Sequence, residues 1–339
     1  MSGADREPIR LVQITDDAVR RVALVDEPDL RLLESVASVR DLALQAAETD
    51  RPLANLALDA ATGDRIQYDA VYEGASRWRL LPPIDHPDDP ARCLVSGTGL
   101  THVGSARDRD AMHESQPQAA TDSLRMFLAG LEGGRPAPGT VGVAPEWFYK
   151  GTGTALRAHG EPLIVPGFAE DGGEEAEIAG VYLVDARGRP RRIGMAIGNE
   201  FSDHAYERRN YLHLAASKLR TCSLGPEIVV NPRFDTVAGE VSIARGGRTI
   251  WSRSIATGEN AMCHSLANIE HHHFKFDAHR RPGDVHVHFF GAHSLSFGDG
   301  IALQDGDIVT IRFEGFGRPL TNVVRVETGR DVPVEVLPL

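Results

Sequence analysis

Hydrophobic and polar positions change their period along this chain. Ile9-Arg-Leu-Val-Gln-Ile and Arg21-Val-Ala-Leu-Val are short apolar runs, followed by the turn formers Asp16-Asp17 and Asp26-Glu27-Pro28. That pattern predicts strands. From Val36 to about Ala47 the positions Val39, Leu42 and Leu44, with Ala46 and Ala47, fall at helical spacing, and Leu53 to Ala60 reads as a second helix. Residues 1–80 therefore predict a small α/β lobe. Leu81-Pro-Pro-Ile-Asp-His-Pro-Asp-Asp-Pro is a stiff proline-rich linker, taken as 81–92.

Beyond the linker, residues 93–339 read as a second, mostly β domain. Ala119 to Leu131 has an amphipathic helical pattern, ended by Glu132-Gly-Gly-Arg-Pro. From Pro162 onward, short β-like runs alternate with Gly, Pro and Asp turns, as in Ile228-Val-Val, Thr249-Ile-Trp, Val285-His-Val-His-Phe-Phe and Ile308-Val-Thr-Ile-Arg-Phe. Tyr206 to Leu219 and Met262 to Phe274 are the helical stretches of this half. The fold class is α+β, with a mostly β domain preceded by the small lobe.

Composition narrows the function. The 339 residues carry a net charge of −12, which argues against nucleic acid as a partner. Nothing approaches the roughly 20 apolar residues of a membrane span. The N-terminal stretch Met-Ser-Gly-Ala-Asp-Arg-Glu lacks an apolar signal core. Cys93, Cys222 and Cys263 are few and widely spaced, as expected of reduced thiols in a cytoplasmic protein.

The candidate chemistry centres on Glu175-Ala-Glu177. In a strand these two carboxylates point to one face, where they need a cation, a shared proton or open water. Asp185-Ala-Arg-Gly-Arg reads as a turn, and the returning run Arg192–Gly198 brings Glu200 back beside the pair. Three carboxylates suit a hard divalent ion, Mg²⁺ or Mn²⁺. Lys218 follows a helical stretch, where it either compensates the helix dipole or serves the site. Lys150 lies beside glycines that permit close approach of a ligand; otherwise it is a turn lysine. His286 and His288 share a strand face and have a spacing that can ligate zinc or iron. They can equally bind substrate hydroxyls, and His271-His272-His273 cannot all face one ion.

Several motifs occur in order: Cys93-Leu-Val-Ser-Gly-Thr-Gly-Leu-Thr, Pro145-Glu-Trp-Phe-Tyr-Lys150-Gly, Glu175-x-Glu177, Asn199-Glu200, Lys218 before Leu224-Gly-Pro-Glu-Ile-Val-Val, Pro282-Gly-Asp-Val, Phe290-Gly291, Gln304-Asp-Gly-Asp-Ile-Val and Leu320-Thr-Asn322-Val-Val. This series, over about residues 93–330, resembles the fumarylacetoacetate hydrolase superfamily, and most of all its branch that dehydrates 2-keto-3-deoxy sugar acids. The resemblance implies a mixed β-roll and a homodimer. It implies Mg²⁺ or Mn²⁺ held by Glu175, Glu177 and Glu200, with Lys218 as base or enolate stabiliser. Thr101, Lys150, His204, Arg209 and Gly291 would line the substrate, and His102 and Ser105 would fall among the catalytic groups.

Departures from the family pattern shape the expected reaction. Ser105 stands where the carbon–carbon hydrolases carry a water-activating histidine, and Asp108 where they carry a glutamate. His113-Glu114 just downstream reads either as a relocated pair on a lid or as an exposed polar loop. Glu200 replaces the usual aspartate. His204 replaces an arginine that Arg208 or Arg209 could stand in for, and Ala292 replaces a threonine. The leading expectation is a lyase: a dehydratase of a 2-keto-3-deoxy sugar acid of the pentonate type, in sugar catabolism, working through an enolate that the metal stabilises. The alternatives are a hydrolase or decarboxylase of a diketo or oxaloacetate-like acid, and a sugar-acid-binding protein without catalysis.

Overall fold

The computed structural model describes residues 8–103, 121–329 and 331–339. Ser105, Asp108, His113 and Glu114 lie outside the described residues.

Among the described residues, the largest sheet has twelve strands. Its path runs Ala61–Gln67, Asp29–Leu33, Arg20–Asp26, Ile9–Thr15, Cys222–Val230, Pro190–Asn199, Ala176–Val184, Val285–Phe289, Cys93–Gly97 and Phe148–Thr152. Arg79–Leu80 joins it beside Ile9–Thr15, and Leu156–Arg157 beside Cys222–Val230. The strands of the N-terminal lobe are thus continuous with those that follow the linker. The joint is antiparallel, with Leu11 opposite Ile228. The linker is docked at the same place, where Gln13 Nε2 donates to the Pro82 carbonyl at 2.7 Å and to Asp85 Oδ1 at 3.0 Å.

The two strands Ala176–Val184 and Cys222–Val230 are buried at every position. Such continuous burial means that both sheet faces are covered. On one face, Ala179, Val181, Leu224 and Ile228 pack with Val39, Leu42 and Leu56 from the helices Val39–Thr49 and Leu53–Ala60. On the other, Ile178, Met195 and Ile197 pack with Val241, Ile311 and Phe313. Those last residues belong to a five-stranded sheet in the order Arg248–Thr257, Val237–Arg245, Ile308–Phe313, Leu320–Val326, Leu163–Val165.

The expected helices form, with boundaries set by caps. Ser38 Oγ accepts from the Asp41 N–H at 3.0 Å and starts the first helix at Val39 rather than Val36. Thr121 caps Asp122–Gly133 in the same way. The stretch expected from Met262 begins only at Leu266, after the Ser265 cap, and runs to Phe274. Tyr206–Leu219 is not one helix. It divides into His204–Arg209, a 3₁₀ turn at Tyr211–His213 and a short turn of helix at Leu214–Ser217. Asn210 causes the break: its backbone is extended, and its side chain accepts from the Leu212 N–H at 3.0 Å. Among the described residues no helix is long and apolar enough to cross a membrane.

Candidate functional site

A β-hairpin builds the site. Ala176–Val184 and Pro190–Asn199 pair with Ala176 opposite Asn199 and Glu177 opposite Gly198. Glu175 sits one residue ahead of the first strand. Asn199 Oδ1 accepts from its N–H at 3.1 Å, and its carbonyl accepts from the Glu200 N–H at 2.9 Å. This bracket folds Glu200 back over the hairpin end. Glu175, Glu177 and Glu200 are all buried, and each offers an oxygen within 4.8 Å of the others.

Two buried lysines meet this cluster. Lys218 Nζ donates to Glu175 Oε1, to Glu200 Oε2 at 2.5 Å and to Ser202 Oγ at 3.0 Å. It also lies 4.7 Å from the centroid of the Phe148 ring. Lys150 Nζ contacts Glu200 Oε1 at 2.6 Å and the carbonyls of Glu200 and Phe201 at 2.9 and 2.6 Å. All three of its donors are therefore spent on fixing Glu200. The structure places Lys150 behind a carboxylate, whereas the loop reading put it against substrate.

Glu177 is the carboxylate without a lysine. Its Oε2 accepts from the Gly291 N–H at 2.7 Å, and its Oε1 has no partner among the described residues. Burial, then the charges of Glu200 and Glu175, push its pKa well above the ordinary carboxylate range. A buried carboxylate in that position requires a proton or a cation. An unpartnered oxygen converging with two further carboxylates is a donor set that fits a hard divalent ion.

Gly291 has φ 97°, and a Cβ there would stand 2.1 Å from Thr101 Oγ1. The position therefore admits only glycine while its N–H reaches Glu177. Thr101 Oγ1 donates to the Phe290 carbonyl at 2.7 Å and accepts from His102 Nδ1 at 2.8 Å. His102 Nε2 then accepts from Thr257 Oγ1 at 3.1 Å. Burial, then His293, lowers the His102 pKa to about 3, so the ring is neutral. His102 thus bridges two threonines beside Gly291.

His204 opens its short helix behind the Asp203 cap, and its Nε2 lies 3.0 Å from Glu175 Oε1. Burial works against its charged form, but the hydrogen bond and charge of Glu175 outweigh that and raise its pKa. The ring fits closely: a Cβ on Gly173 would stand 2.2 Å from His204 Nδ1. Phe297 covers the ring at 5.4 Å, and the Arg208 guanidinium lies 5.1 Å from the Phe297 centroid. Arg209 instead pairs with Glu170 at 2.5 Å on an exposed surface. Of the two neighbouring arginines, Arg208 is the one that joins the column leading to Glu175.

The sequence reading singled out Gly291 but missed Glu174, Ser296 and Phe297. Glu174 accepts from the Ser296 N–H at 2.8 Å and from Ser296 Oγ at 2.7 Å. The segment Gly291–Phe297 therefore touches Glu177 through Gly291, Glu174 through Ser296, and His204 through Phe297. The run Glu174-Glu175-Ala-Glu177 held a signal for the first of these. A third acidic residue there, out of phase with the other two, needed a partner of its own.

The late histidines do not form a second metal group among the described residues; the triad is the cluster that converges. His288 bridges Ser96 Oγ at 2.9 Å and Thr98 Oγ1 at 2.8 Å. Trp147 Nε1 donates to His273 Nδ1 at 3.2 Å, and His273 Nε2 lies 3.0 Å from His286 Nδ1.

A family model described as fumarylacetoacetate (FAA) hydrolase, C-terminal, matches residues 119–325. No curated protein sequence matches. Among solved structures, the chain is similar to a 2-keto-3-deoxy-D-arabinonate dehydratase complexed with magnesium and 2,5-dioxopentanoate. That pair is 21% identical, with 95% of this chain and 100% of that chain covered and a TM-score of 0.69. It is similar also to a fumarylacetoacetate hydrolase from Exiguobacterium antarcticum, at 17% identity, 94% and 100% coverage and a TM-score of 0.59. A 5-carboxymethyl-2-hydroxymuconate delta-isomerase from Mycobacterium smegmatis has 18% identity, 94% and 100% coverage and a TM-score of 0.55. At these identities the likeness is one of fold.

Proposed function

This chain belongs to the fumarylacetoacetate hydrolase family, and we propose that within it the protein is a divalent-metal-dependent dehydratase of a 2-keto-3-deoxy sugar acid of the pentonate type. The observation that carries this reading is the buried triad with its uncompensated Glu177. Three carboxylates against two ammoniums leave one negative charge before His204 is counted. A divalent cation turns that sum positive, which suits a substrate that enters as a carboxylate. The fold shared with a dehydratase bound to magnesium and a keto acid supports the same choice.

Glu175, Glu177 and Glu200 would hold the cation, and Mg²⁺ or Mn²⁺ fits an all-oxygen donor set. Such an ion polarises a 2-keto group and acidifies the adjacent C3–H. Lys218 Nζ is the group placed to move the proton. The cation's charge would lower the pKa of this ammonium, and the amine left when it gives its proton to solvent takes the C3 proton, leaving an enolate. The ammonium so formed protonates the C4 hydroxyl, which departs as water. The lysine ends as it began, and tautomerisation of the enone gives 2-ketoglutarate semialdehyde. Lys150 holds Glu200 in register throughout. Gly291 fixes Glu177, and His204 fixes Glu175.

The test is to incubate the Mg²⁺-loaded protein with a 2-keto-3-deoxypentonate and follow products by mass. Loss of one water in the wild type, abolished in Lys218→Met, supports the dehydratase. The second reading, hydrolysis of a diketo acid, rests on the same centre and on the fold shared with the Exiguobacterium hydrolase. Release of pyruvate from acylpyruvates, without dehydration of the sugar acid, would replace the first reading by the second.

A further inference from the structure

The segment 331–339 reads Asp-Val-Pro-Val-Glu-Val-Leu-Pro-Leu. Val332, Val334 and Val336 are 71, 89 and 88% exposed, so none of them packs on the fold. A segment that stays in water is polar and charged, whereas this one is mostly Val and Leu. Its valines recur at every second position, the period of a strand, so in extended form all three share one face. Such a strip calls for a sheet edge with an apolar surface beside it.

The strand Arg248–Thr257 offers one. It ends the five-stranded sheet, and among the described residues no strand lies on its outer side. It contains no proline, and Arg248, Thr249 and Ile250 are exposed. Trp251 is half-buried against the core beneath the sheet, and its ring nitrogen donates to Asp299 Oδ2 at 2.8 Å. It shares a strand face with the buried Ile255, while Arg248 and Ile250 share the opposite, solvent face. Arg253 pairs with Asp299 at 2.5 Å, whereas among the described residues no carboxylate pairs with Arg248.

We propose that the segment 331–339 is an arm that adds as a further strand to the Arg248–Thr257 edge of a second copy of this chain. The valines then cover the Trp251 face, and Glu335, on the other face, lies with Arg248. Pro333 fits the same placement. Alternate residues of a strand direct their backbone groups the same way, so Pro333 and Glu335 turn outward while the three valines bond to the edge. A proline on the outer side costs no hydrogen bond and stops yet another strand from adding. The arm's own edge is out of reach. Val326 pairs with Val165 at the far side of the same sheet, and a Cβ on Gly167 would stand 2.9 Å from Gly329 Cα. Val332 follows Gly329 by three residues, which span about 11 Å at most. The four strand spacings from there to Arg248–Thr257 amount to about 19 Å. Two copies that exchange arms satisfy both edges and close the pair.

Light scattering and amide exchange on the full chain test this. The wild type should have at least twice the monomer mass, and the double variant Val334→Asp/Val336→Asp should have half the mass of the wild type. The variant should stay folded by thermal melting, because in its own chain these valines touch no core. Read by mass spectrometry, the amides of Thr249–Ser254 should exchange at least tenfold faster in the variant than in the wild type. A monomeric wild type, a variant that keeps the wild-type mass, or edge amides that exchange alike in both proteins would each overturn the proposal. Edge protection in a monomeric wild type would place the arm on its own sheet. None of these readouts depends on metal or on turnover, so they stand apart from the dehydratase reading.

Discussion

Lys150 and Lys218 grip opposite oxygens of one carboxylate, that of Glu200, at 2.6 and 2.5 Å. The two lysines are equally buried, yet their remaining contacts differ. Lys150 spends its other donors on backbone carbonyls. Lys218 spends one of its own on Glu175. One lysine therefore anchors the site and the other spans it.

Substitution should separate these roles. Lys150→Met leaves a buried carboxylate half-compensated and takes a donor from the Glu200 and Phe201 carbonyls, of which the first still has Ser202 Oγ at 3.0 Å. Breaking a buried pair from one side costs about 3–5 kcal/mol, so a large fall in the urea midpoint is expected, together with weaker metal binding. Lys218→Met should keep metal binding, measured by calorimetry, while turnover falls at least a hundredfold. Equal stability losses without a difference in metal binding would contradict the division.

Glu177→Gln should have opposite effects on the apo and metal-loaded protein. Without metal, the substitution removes an uncompensated buried charge, so the apo melting temperature should hold or rise. With Mg²⁺, wild type should gain stability as the ion is added, by about 2.7 kcal/mol at a hundredfold excess over Kd. The variant should gain almost nothing. Melting curves with EDTA and with graded Mg²⁺ read both effects. An equal metal-induced shift in both proteins would remove Glu177 from the centre.

Gly291→Ala places a methyl group 2.1 Å from Thr101 Oγ1 at a left-handed φ of 97°. Such backbone strain costs about 1–3 kcal/mol, and the shift it forces withdraws the N–H from Glu177. We expect a lower melting temperature and weaker metal affinity. Thr101→Ala should keep the metal affinity of wild type, because it removes the hydroxyl and not the Gly291 N–H.

Much of this site was legible because its information is local. Glu175 and Glu177 share a strand face by period, and the turn at Asp185 fixes where Glu200 returns. The small lobe was legible as strands and helices for the same reason. Its place in the sheet was not, because nothing near Ile9 encodes a partner at Val230. Glu174 with Ser296, and His204 with Phe297, were likewise out of reach: each pair joins segments far apart in sequence. Lys150 misled by its neighbours. Glycines beside a lysine suggest ligand approach, whereas here the lysine points into the protein at Glu200.

The last prediction concerns acid. His102, His286 and His288 are all held neutral by burial, each with a pKa of about 3. His102 also faces His293, and the other two face His279, with His273 packed between them. An unfolded histidine titrates at about 6.5. Between about pH 6.5 and 3 the unfolded chain therefore binds protons that the folded chain refuses. Stability then rises with pH across that window. The stabilising contribution is complete above 6.5 and is lost as pH falls toward 3. Urea midpoints from pH 7.5 to 4 should decline, and His288→Gln should flatten the decline, since its amide can still bridge Ser96 and Thr98 without taking up a proton. His102→Gln should flatten it too, while leaving the shape of the kcat–pH profile between 6 and 8 unchanged. A lost limb near pH 6.5 in that profile would instead make His102 a working acid or base and contradict its placement between Thr101 and Thr257.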